Sequence, residues 1–565
     1  MPVISSTSTA AIGPWRLAAI GAVGALAVGA GVVAGSFLMT SRVALGGGAA
    51  YVPANAPFYV ELSVVPSAEQ DAALRELLGH FPSIEGIDLA RPLGDQLAEY
   101  VDEQMAAEDV DFSWTTDVAP WFDGHVAIAV TELSLQGTIE SEAVPDGVVL
   151  LGVTDPAAAS AAIARITAAA PNMEFTETEH AGVTVHVAAG EDGGAYALTD
   201  DQLVVGSTAA AVESALDAHA NPSTSLATTA DLARMVAVLP SDWLAFATWD
   251  LTDVVAQALA AAAPADPATT DAMRGLLESQ PLRGAVAVSA AGDRIAVDTA
   301  SDPPTGYPTA NADRGLSAEV PGDALFYSES GNVGAALGWF IGGIKDAADE
   351  AGAGGEELGM IEAALGGDLE EVLSWIGDAA VAAGVTDGTP YAGVVINPTD
   401  IAEAERRIDQ LATFATLGAL DPSMGITVET ETVGGATITT FRWETTDLEA
   451  FAEDVDTVVV EVAVTDDRVL IGVGDAFVRA SLGLAESSSL AAQPRYSEAV
   501  AELGGPDSAG ITWVDLAGLH DAMSTIAGPM LPSESTEWLG PFDRFVSVTR
   551  LESGLLVQHA ALLVE

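Results

Sequence analysis

The chain has 565 residues and a formal net charge of −63, from 82 acidic and 19 basic side chains. So few cations make double-stranded nucleic acid or an anionic membrane surface an unfavourable partner, because both are bound through many Lys and Arg contacts to phosphate. The 49% hydrophobic content indicates packed cores rather than disorder, and the absence of cysteine excludes disulfides and thiolate chemistry.

The N-terminal region is predicted to anchor the chain in a membrane. Leu17–Met39 contains no charged residue, and as a helix it would be about 34 Å long, enough to cross a bilayer core. With only residues 1–16 ahead of it, we expect a cytoplasmic N-terminus and an extracytoplasmic bulk. A signal peptide cleaved near Gly47–Ala50 is the alternative. Residues 40–50 are predicted to form a short flexible stalk.

Two stretches of the chain match each other without a gap. Residues 197–216 and 463–482 align at an offset of 266 positions. Each has an apolar run, an acidic pair, a second apolar run, a glycine, and then apolar residues spaced four apart. This pattern predicts a β-hairpin, a glycine turn and an amphipathic helix. The acidic pairs, Asp200–Asp201 and Asp466–Asp467, are expected at the hairpin turns, where aspartate is favoured.

Further matching phrases occur in the same order in both parts of the chain. The most similar are at 52–62 and 320–330, each predicted to lead into a strand and a helix. Later phrases place Asp155 and Asp400 in the position of helix N-caps. The other matched positions are Pro53 and Pro321, Phe58 and Phe326, Tyr59 and Tyr327, Glu61 and Glu329, Trp121 and Trp375, and Asp250 and Asp515.

These matches predict a duplicated α+β architecture. We expect an N-terminal transmembrane helix followed by two homologous halves, 51–300 and 318–565. Each half would be an antiparallel sheet with amphipathic helices on one face. The segment 301–317 between them is rich in Pro, Gly and polar residues, which is typical of a linker.

The chain resembles a known family of bacterial proteins. The shared features are the N-terminal span, the opening phrase with Phe58-Tyr59, and the phrase with Thr-Asp-Asp, an apolar run, Gly and a helix. They are similar to Domain of Unknown Function family 3352, membrane-anchored proteins of an actinobacterial kind. The resemblance implies an envelope location. It implies no site residue, because that family has no established activity.

No residue is assigned a catalytic, cofactor-binding or metal-binding role. His180 and His186 flank a predicted strand on one side, but the histidines show no metal-ligand spacing. Ser207 and Thr208 are interpreted as helix caps, because Gly206 lacks the partner glycine of a nucleophile elbow. Acidic pairs such as Glu370–Glu371 carry little catalytic information in so acidic a chain.

Three functions remain compatible with the sequence. The preferred interpretation is a non-enzymatic binding or structural role in the envelope. The alternatives are a carrier of an apolar, lipid-like ligand held between helices and a curved sheet, and a hydrolase whose site residues are distant in sequence. The acidity fits either adaptation to high salt or a lysine-poor coding bias.

Overall fold

The computed structural model describes residues 47–65, 67–83, 86–107, 113–132, 146–169, 174–190, 193–262, 281–351, 362, 367–386, 389–418, 425–444, 457–527 and 538–565. The predicted membrane span Leu17–Met39 lies outside these residues. Within the described ranges, no helix is both long and apolar enough to cross a membrane. The chain divides into unit 1, Met1–Val254 with Ala285–Ile295, and unit 2, Val255–Gly284 with Ala296–Glu565.

Unit 1 is an antiparallel sheet with helices. Its strands are β1 (Phe58–Ser63), β2 (Phe122–Glu132), β3 (Asp146–Val153), β4 (Phe175–His180), β5 (Val183–Ala188), β6 (Ala195–Leu198), β7 (Gln202–Gly206), β8 (Ala245–Asp250) and most of β9 (Arg283–Ala291). Its helices are α1 (Ala68–Leu78), α2 (Leu93–Ala107), α3 (Pro156–Ala169), α4 (Ala209–Ala220), α5 (Ala230–Val236) and the start of α6 (Thr252–Ala262). The hydrogen-bonded order is β8–β1–β2–β3–β7–β6–β5–β4.

Unit 2 has the same kind of sheet. Its strands are most of β10 (Arg294–Ser301), then β11 (Ala312–Asp313), β12 (Ala324–Ser330), β13 (Ile376–Thr386), β14 (Thr389–Pro398), β15 (Ile426–Val433), β16 (Ala436–Glu444), β17 (Thr457–Val464), β18 (Val469–Val473), β19 (Asp507–Ser508), β20 (Gly510–Asp515), β21 (Phe542–Glu552) and β22 (Leu555–Val564). Its helices are α7 (Val333–Ala351), α8 (Leu369–Leu373), α9 (Ile401–Gly418), α10 (Phe477–Leu482), α11 (Pro494–Glu502) and α12 (Leu516–Ala527).

The strand order of unit 2 follows that of unit 1. It runs β22–β21–β20–β12–β13–β14–β18–β17–β16–β15, with every pair antiparallel. From β20 to β15 the order corresponds strand for strand to unit 1 from β8 to β4. The mixed α+β class with a dominant antiparallel sheet is therefore confirmed.

Two predicted helix N-caps are confirmed. Asp155 Oδ1 accepts hydrogen bonds from the N–H groups of Ala157 and Ala158, both at 3.0 Å. Asp400 Oδ1 does the same for the first turn of α9, accepting from Ala402 at 3.0 Å and Glu403 at 3.1 Å. Each carboxylate thus satisfies N–H groups that have no partner within the helix.

The predicted hairpin turns also form. Asp200–Asp201 lies between β6 and β7, and Asp466–Asp467 lies between β17 and β18. Both turns are closed by a threonine: Gln202 N–H donates to Thr199 Oγ1 at 3.0 Å, and the equivalent bond to Thr465 Oγ1 is 3.1 Å. After each hairpin a helix follows, α4 in unit 1 and α10 in unit 2.

The prediction that helices cover only one sheet face is wrong for unit 2. We call the face that carries Tyr327 the tyrosine face and the face that carries Phe326 the phenylalanine face. Helices α10 and α11 pack with Tyr327 on the tyrosine face. Helix α9 packs through Ile408 against Phe441 and Val462 on the opposite face. Strand β16 carries buried apolar residues on both sides, Ile438 on the tyrosine face and Phe441 on the phenylalanine face, so both of its faces are covered.

Two predicted flexible segments are partly ordered. Gly47–Tyr51, the end of the predicted 40–50 stalk, forms a buried 3-10 turn. In the predicted linker 301–317, Ala312–Asp313 pairs with β19, and the next residues enter a 3-10 turn with Leu316 buried. The composition of both segments indicated exposed connections. Each segment instead becomes ordered where a few of its side chains pack against the sheet. We call the two 3-10 turns, Gly47–Tyr51 and Leu316–Glu319, the lead-in turns.

Candidate functional site

Each unit buries a tyrosine and a glutamate on corresponding strands. Tyr59 and Glu61 lie on β1, and Tyr327 and Glu329 lie on β12, all four almost completely buried. Alternation along a strand places residues two apart on the same face. The Tyr59 hydroxyl donates to Glu61 Oε2 at 2.6 Å, and the Tyr327 hydroxyl donates to Glu329 Oε2. These are the residues that matched between the two opening phrases of the sequence.

In unit 2 the buried glutamate faces an arginine from the predicted linker. The Arg314 side chain is fully buried and its Nη1 lies 3.0 Å from Asp378 Oδ2. The Leu316 N–H donates to Glu329 Oε2 at 3.2 Å. Burial raises the pKa of the Glu329 carboxyl, and the Tyr327 hydroxyl, Arg314 and the Leu316 N–H act to lower it. The lead-in turn of unit 2 is therefore held to the sheet by polar contacts.

Unit 1 has a histidine near its buried glutamate. His125 Nδ1 lies 3.6 Å from Glu61 Oε1. The register places His125 where unit 2 has Asp378, since Tyr59 pairs with Ala129 and Tyr327 pairs with Ala382. Burial, reinforced by Glu61, raises the pKa of the Tyr59 hydroxyl well above its usual range. Both tyrosines are thus neutral hydrogen-bond donors.

The buried Tyr–Glu pairs are structural. Catalysis by such a carboxyl requires that substrate reach it within hydrogen-bond distance. Both glutamates are about 1% exposed, and Leu316 of the unit 2 lead-in turn donates to Glu329. Burial of this degree leaves almost no carboxyl surface for a ligand.

The predicted capping role is confirmed for Thr208 and is wrong for Ser207, whose hydroxyl bonds to a strand. Thr208 Oγ1 accepts from the Ala211 N–H at 3.1 Å, which caps α4. Ser207 Oγ accepts from the Gly147 N–H at 3.1 Å. The Glu370–Glu371 pair lies in the first turn of α8, where Asp368 is the N-cap. Acidic side chains at this end interact favourably with the helix dipole.

The placement of His180 and His186 on one side of a strand is wrong. His180 ends β4 and His186 lies in β5, because the chain reverses at Ala181–Gly182. His180 Nε2 is 2.7 Å from Asp217 Oδ1, whereas the His186 ring stacks on Tyr196. Across the described ranges, no group of three or more His, Asp or Glu side chains is placed to hold a metal ion.

The phenylalanine face of unit 2 carries an exposed apolar row. Phe326 of β12 lies opposite Ala383, Ala383 lies opposite Ala392, and Ala392 lies opposite Val473. Val381 is two residues before Ala383 and shares its face. Phe326, Val381 and Val473 are 36%, 47% and 56% exposed. We call these five residues the unit 2 strip.

Helix α9 covers the neighbouring part of the same face. It packs through Ala404 and Ile408, and beyond them its Leu411, Phe414 and Leu417 are exposed. Isolated exposed apolar residues are common, but a contiguous group indicates an interaction surface. Alternation along β12 turns Tyr327 and Glu329 inward and Phe326 outward. The exposed position of this phenylalanine could therefore have been recognised in the matched phrases of the sequence.

The strands of the unit 2 strip carry no cationic side chain. None of them, β12, β13, β14 and β18, contains Lys or Arg. Asp323, which precedes β12, accepts hydrogen bonds from Thr386 Oγ1 at 2.6 Å and the Tyr391 hydroxyl at 3.2 Å, both on the tyrosine face, opposite the strip. The net charge of −63 and the lack of cations on these strands disfavour ligands with an anionic group.

One protein family is similar to this chain over most of its length. The sequence profile of a family described as "Protein of unknown function (DUF3352)" matches residues 17–525. No curated protein matches the chain. A solved structure titled "Structure of crystal form I of TP0453" is similar at 9% identity, covering 46% of this chain and 81% of its own, with a TM-score of 0.21. A likeness at that score supports no conclusion about fold or function.

Proposed function

This chain belongs to the DUF3352 family of proteins of unknown function, and we propose that it is a non-enzymatic envelope protein that binds an uncharged, lipid-like molecule. The observation that carries the proposal is the unit 2 strip, a row of exposed apolar side chains across four strands. A ligand on the strip would remove this apolar surface from water, which is favourable by roughly 25 cal/mol per Å² buried.

The charge of the protein selects the class of ligand. A phosphatidate headgroup or a fatty-acid carboxylate would meet the −63 net charge of the chain, with no Lys or Arg on the strip strands to compensate. Neutral lipids, such as a long-chain alcohol, an isoprenoid or a glyceride, avoid this repulsion. The geometry therefore favours an uncharged apolar ligand over an anionic one.

The proposed location rests on the N-terminal sequence. Leu17–Met39 would anchor the chain in the cytoplasmic membrane and leave both units outside. The common strand order of the units supports the further proposal that they arose by duplication, with halves near 51–300 and 318–565. Protease added to intact cells should then digest the folded units, and their full protection would reverse the proposed orientation.

The binding proposal is tested on lipids that copurify with the full chain. Bound lipids are extracted from the purified wild type and from Phe326→Glu and are identified by mass spectrometry. A charged side chain on the strip makes burial against a lipid unfavourable. We expect uncharged lipids with the wild type, and a clear reduction in the variant.

The matched control is Tyr100→Glu, which adds the same charge at an exposed aromatic residue of α2. This variant should retain the wild-type lipids. Equal lipid content in wild type and Phe326→Glu would overturn the proposal. A predominance of anionic lipids would contradict the proposed ligand class.

A further inference from the structure

Unit 1 presents an apolar surface at the place equivalent to the unit 2 strip. Phe58 and Ile128 are each 39% exposed. Phe58 lies opposite Val130 of β2, as Phe326 lies opposite Ala383 of β13. Ile128 precedes Val130 by two residues, as Val381 precedes Ala383. We call Phe58, Ile128 and Val130 the unit 1 strip.

The two strips occupy corresponding positions in corresponding strands. In both units the tyrosine that follows the phenylalanine is buried on the opposite face, with its glutamate. The alternation of the strand thus separates a structural face from an exposed apolar face in each unit. Apolar side chains exposed by chance would not be expected at the same two positions in both units.

The charges around the unit 1 strip select the same ligand class. The strands β1, β2, β3 and β8 contain no Lys or Arg. Trp249 and Gly147 share the face of the strip, since they pair with Phe58 and Val130, so the neighbouring Asp250 and Asp146 lie on the opposite face. An uncharged molecule fits this surface for the reason given for unit 2.

From these observations we infer that unit 1 holds a second binding site for the same uncharged lipid-like ligand, with Phe58 and Ile128 as its main contacts. The inference rests on the proposed function of unit 2. Each chain would then bind two ligand molecules, one on each strip.

The test is photolabelling of the full chain in its membrane environment. The probe is an uncharged long-chain alcohol that carries a photoreactive diazirine, and labelled peptides are located by mass spectrometry. The variants are Phe58→Glu, Phe326→Glu and the control Tyr100→Glu. Circular dichroism and thermal melting verify that each variant remains folded, which is expected because all three side chains are partly exposed.

We expect the wild type to be labelled on both strips. Phe58→Glu should reduce labelling of the unit 1 strip to background and leave unit 2 unchanged, and Phe326→Glu should do the reverse. Tyr100→Glu should change neither.

Each other outcome has a distinct meaning. Labelling of unit 2 alone would overturn this inference and leave the proposed function intact, whereas labelling of neither strip would overturn both. Unit 1 labelling that persists in Phe58→Glu would also overturn the inference. Labelling that decreases as the protein concentration rises would show that a second copy of the chain, and not a lipid, covers the strips.

Discussion

At the scale of single residues, the two units place different residues beside an equivalent buried glutamate. Glu61 has His125 nearby, and Glu329 has Arg314, which is itself paired with Asp378. A buried charge that loses its partner is costly, because the charge has left water without a compensating interaction. Arg314 is therefore expected to contribute to the stability of unit 2 although it lies in a connecting segment.

Arg314→Gln should destabilise unit 2 by about 3 kcal/mol, the lower end of the usual cost of removing one partner of a buried ion pair, because the Asp378 side chain is 26% exposed. Thermal or urea unfolding monitored by circular dichroism measures the change. Arg406→Gln is the control, because Arg406 pairs with Glu403 on the exposed surface of α9, where ion pairs contribute little. Equal stability of Arg314→Gln and the wild type would show that Asp378 and Glu329 do not need the guanidinium.

At the scale of elements, two equivalent hairpin turns differ in the residue at their first position of positive φ. The β4–β5 turn has positive φ at Ala181 and Gly182, 49° and 83°. The equivalent β15–β16 turn uses Gly434 and Gly435, at 63° and 97°. Two-residue turns of this type require positive φ at both positions, and an L-residue other than glycine or asparagine is strained there.

Ala181→Gly should raise the free energy of unfolding of unit 1 by about 1 kcal/mol. This gain is the backbone strain relieved at position 181, less the extra conformational entropy that a glycine gives the unfolded chain. Chemical denaturation measures the gain. Gly182→Ala is the matched control and should destabilise, since it adds a side chain at a positive φ. A loss of stability in Ala181→Gly would show that the Ala181 side chain contributes more than its backbone strain costs.

A histidine of β22 pairs with an aspartate of β10. His559 Nδ1 lies 2.6 Å from Asp298 Oδ1, both within unit 2. The bond to Asp298 raises the pKa of His559, Glu552 adds to this effect, and burial and Arg550 oppose it. A raised pKa means that the folded protein binds the proton more tightly than the unfolded chain.

This histidine should make the stability of unit 2 depend on pH. Its contribution is fully present below about pH 6.5, the pKa of an unfolded histidine, and is lost as the pH rises through the higher folded pKa. Asp298→Asn should remove the contribution of His559 to the pH dependence of stability. The measurement is the difference in melting temperature between variant and wild type from pH 5 to pH 9. Parallel curves for the two proteins would contradict the prediction.

At the scale of the whole molecule, charge opposes folding. With a net charge of −63, many carboxylates must lie within about 10 Å of each other, the screening length at 0.1 M salt. Their repulsion is strongest in the compact state and is relieved when the chain expands. Exposed ion pairs such as those of Arg406 offset only a small part of it.

The melting temperature of the full chain should therefore rise clearly between about 0.05 and 1 M KCl, where the screening length falls to about 3 Å. NaCl should act like KCl, because screening depends on ionic strength and not on the identity of the cation. A response to millimolar Ca²⁺ alone would indicate discrete sites instead. A melting temperature that does not change over this range of KCl would show that the carboxylates are too widely spaced to interact.

The local features of this protein were determined by its sequence alone. The N-caps Asp155 and Asp400, the hairpins at Asp200–Asp201 and Asp466–Asp467, and the helices that follow depend on contacts within a few residues. Such contacts follow from residue type and spacing. The pairing of Tyr59 with Glu61 is also a local feature, because residues two apart on a strand share a face.

Only the tertiary structure decided which residues distant in the chain meet. Arg314 reaches Asp378 across 64 positions of sequence, and no local pattern marks an arginine in a polar segment as buried. The cover of both sheet faces by helices, and the strip that those helices leave open around Phe326, depend on the packing of α9 against strands far from it in sequence. Periodicity shows that a residue lies on a face, but packing decides whether that face is covered.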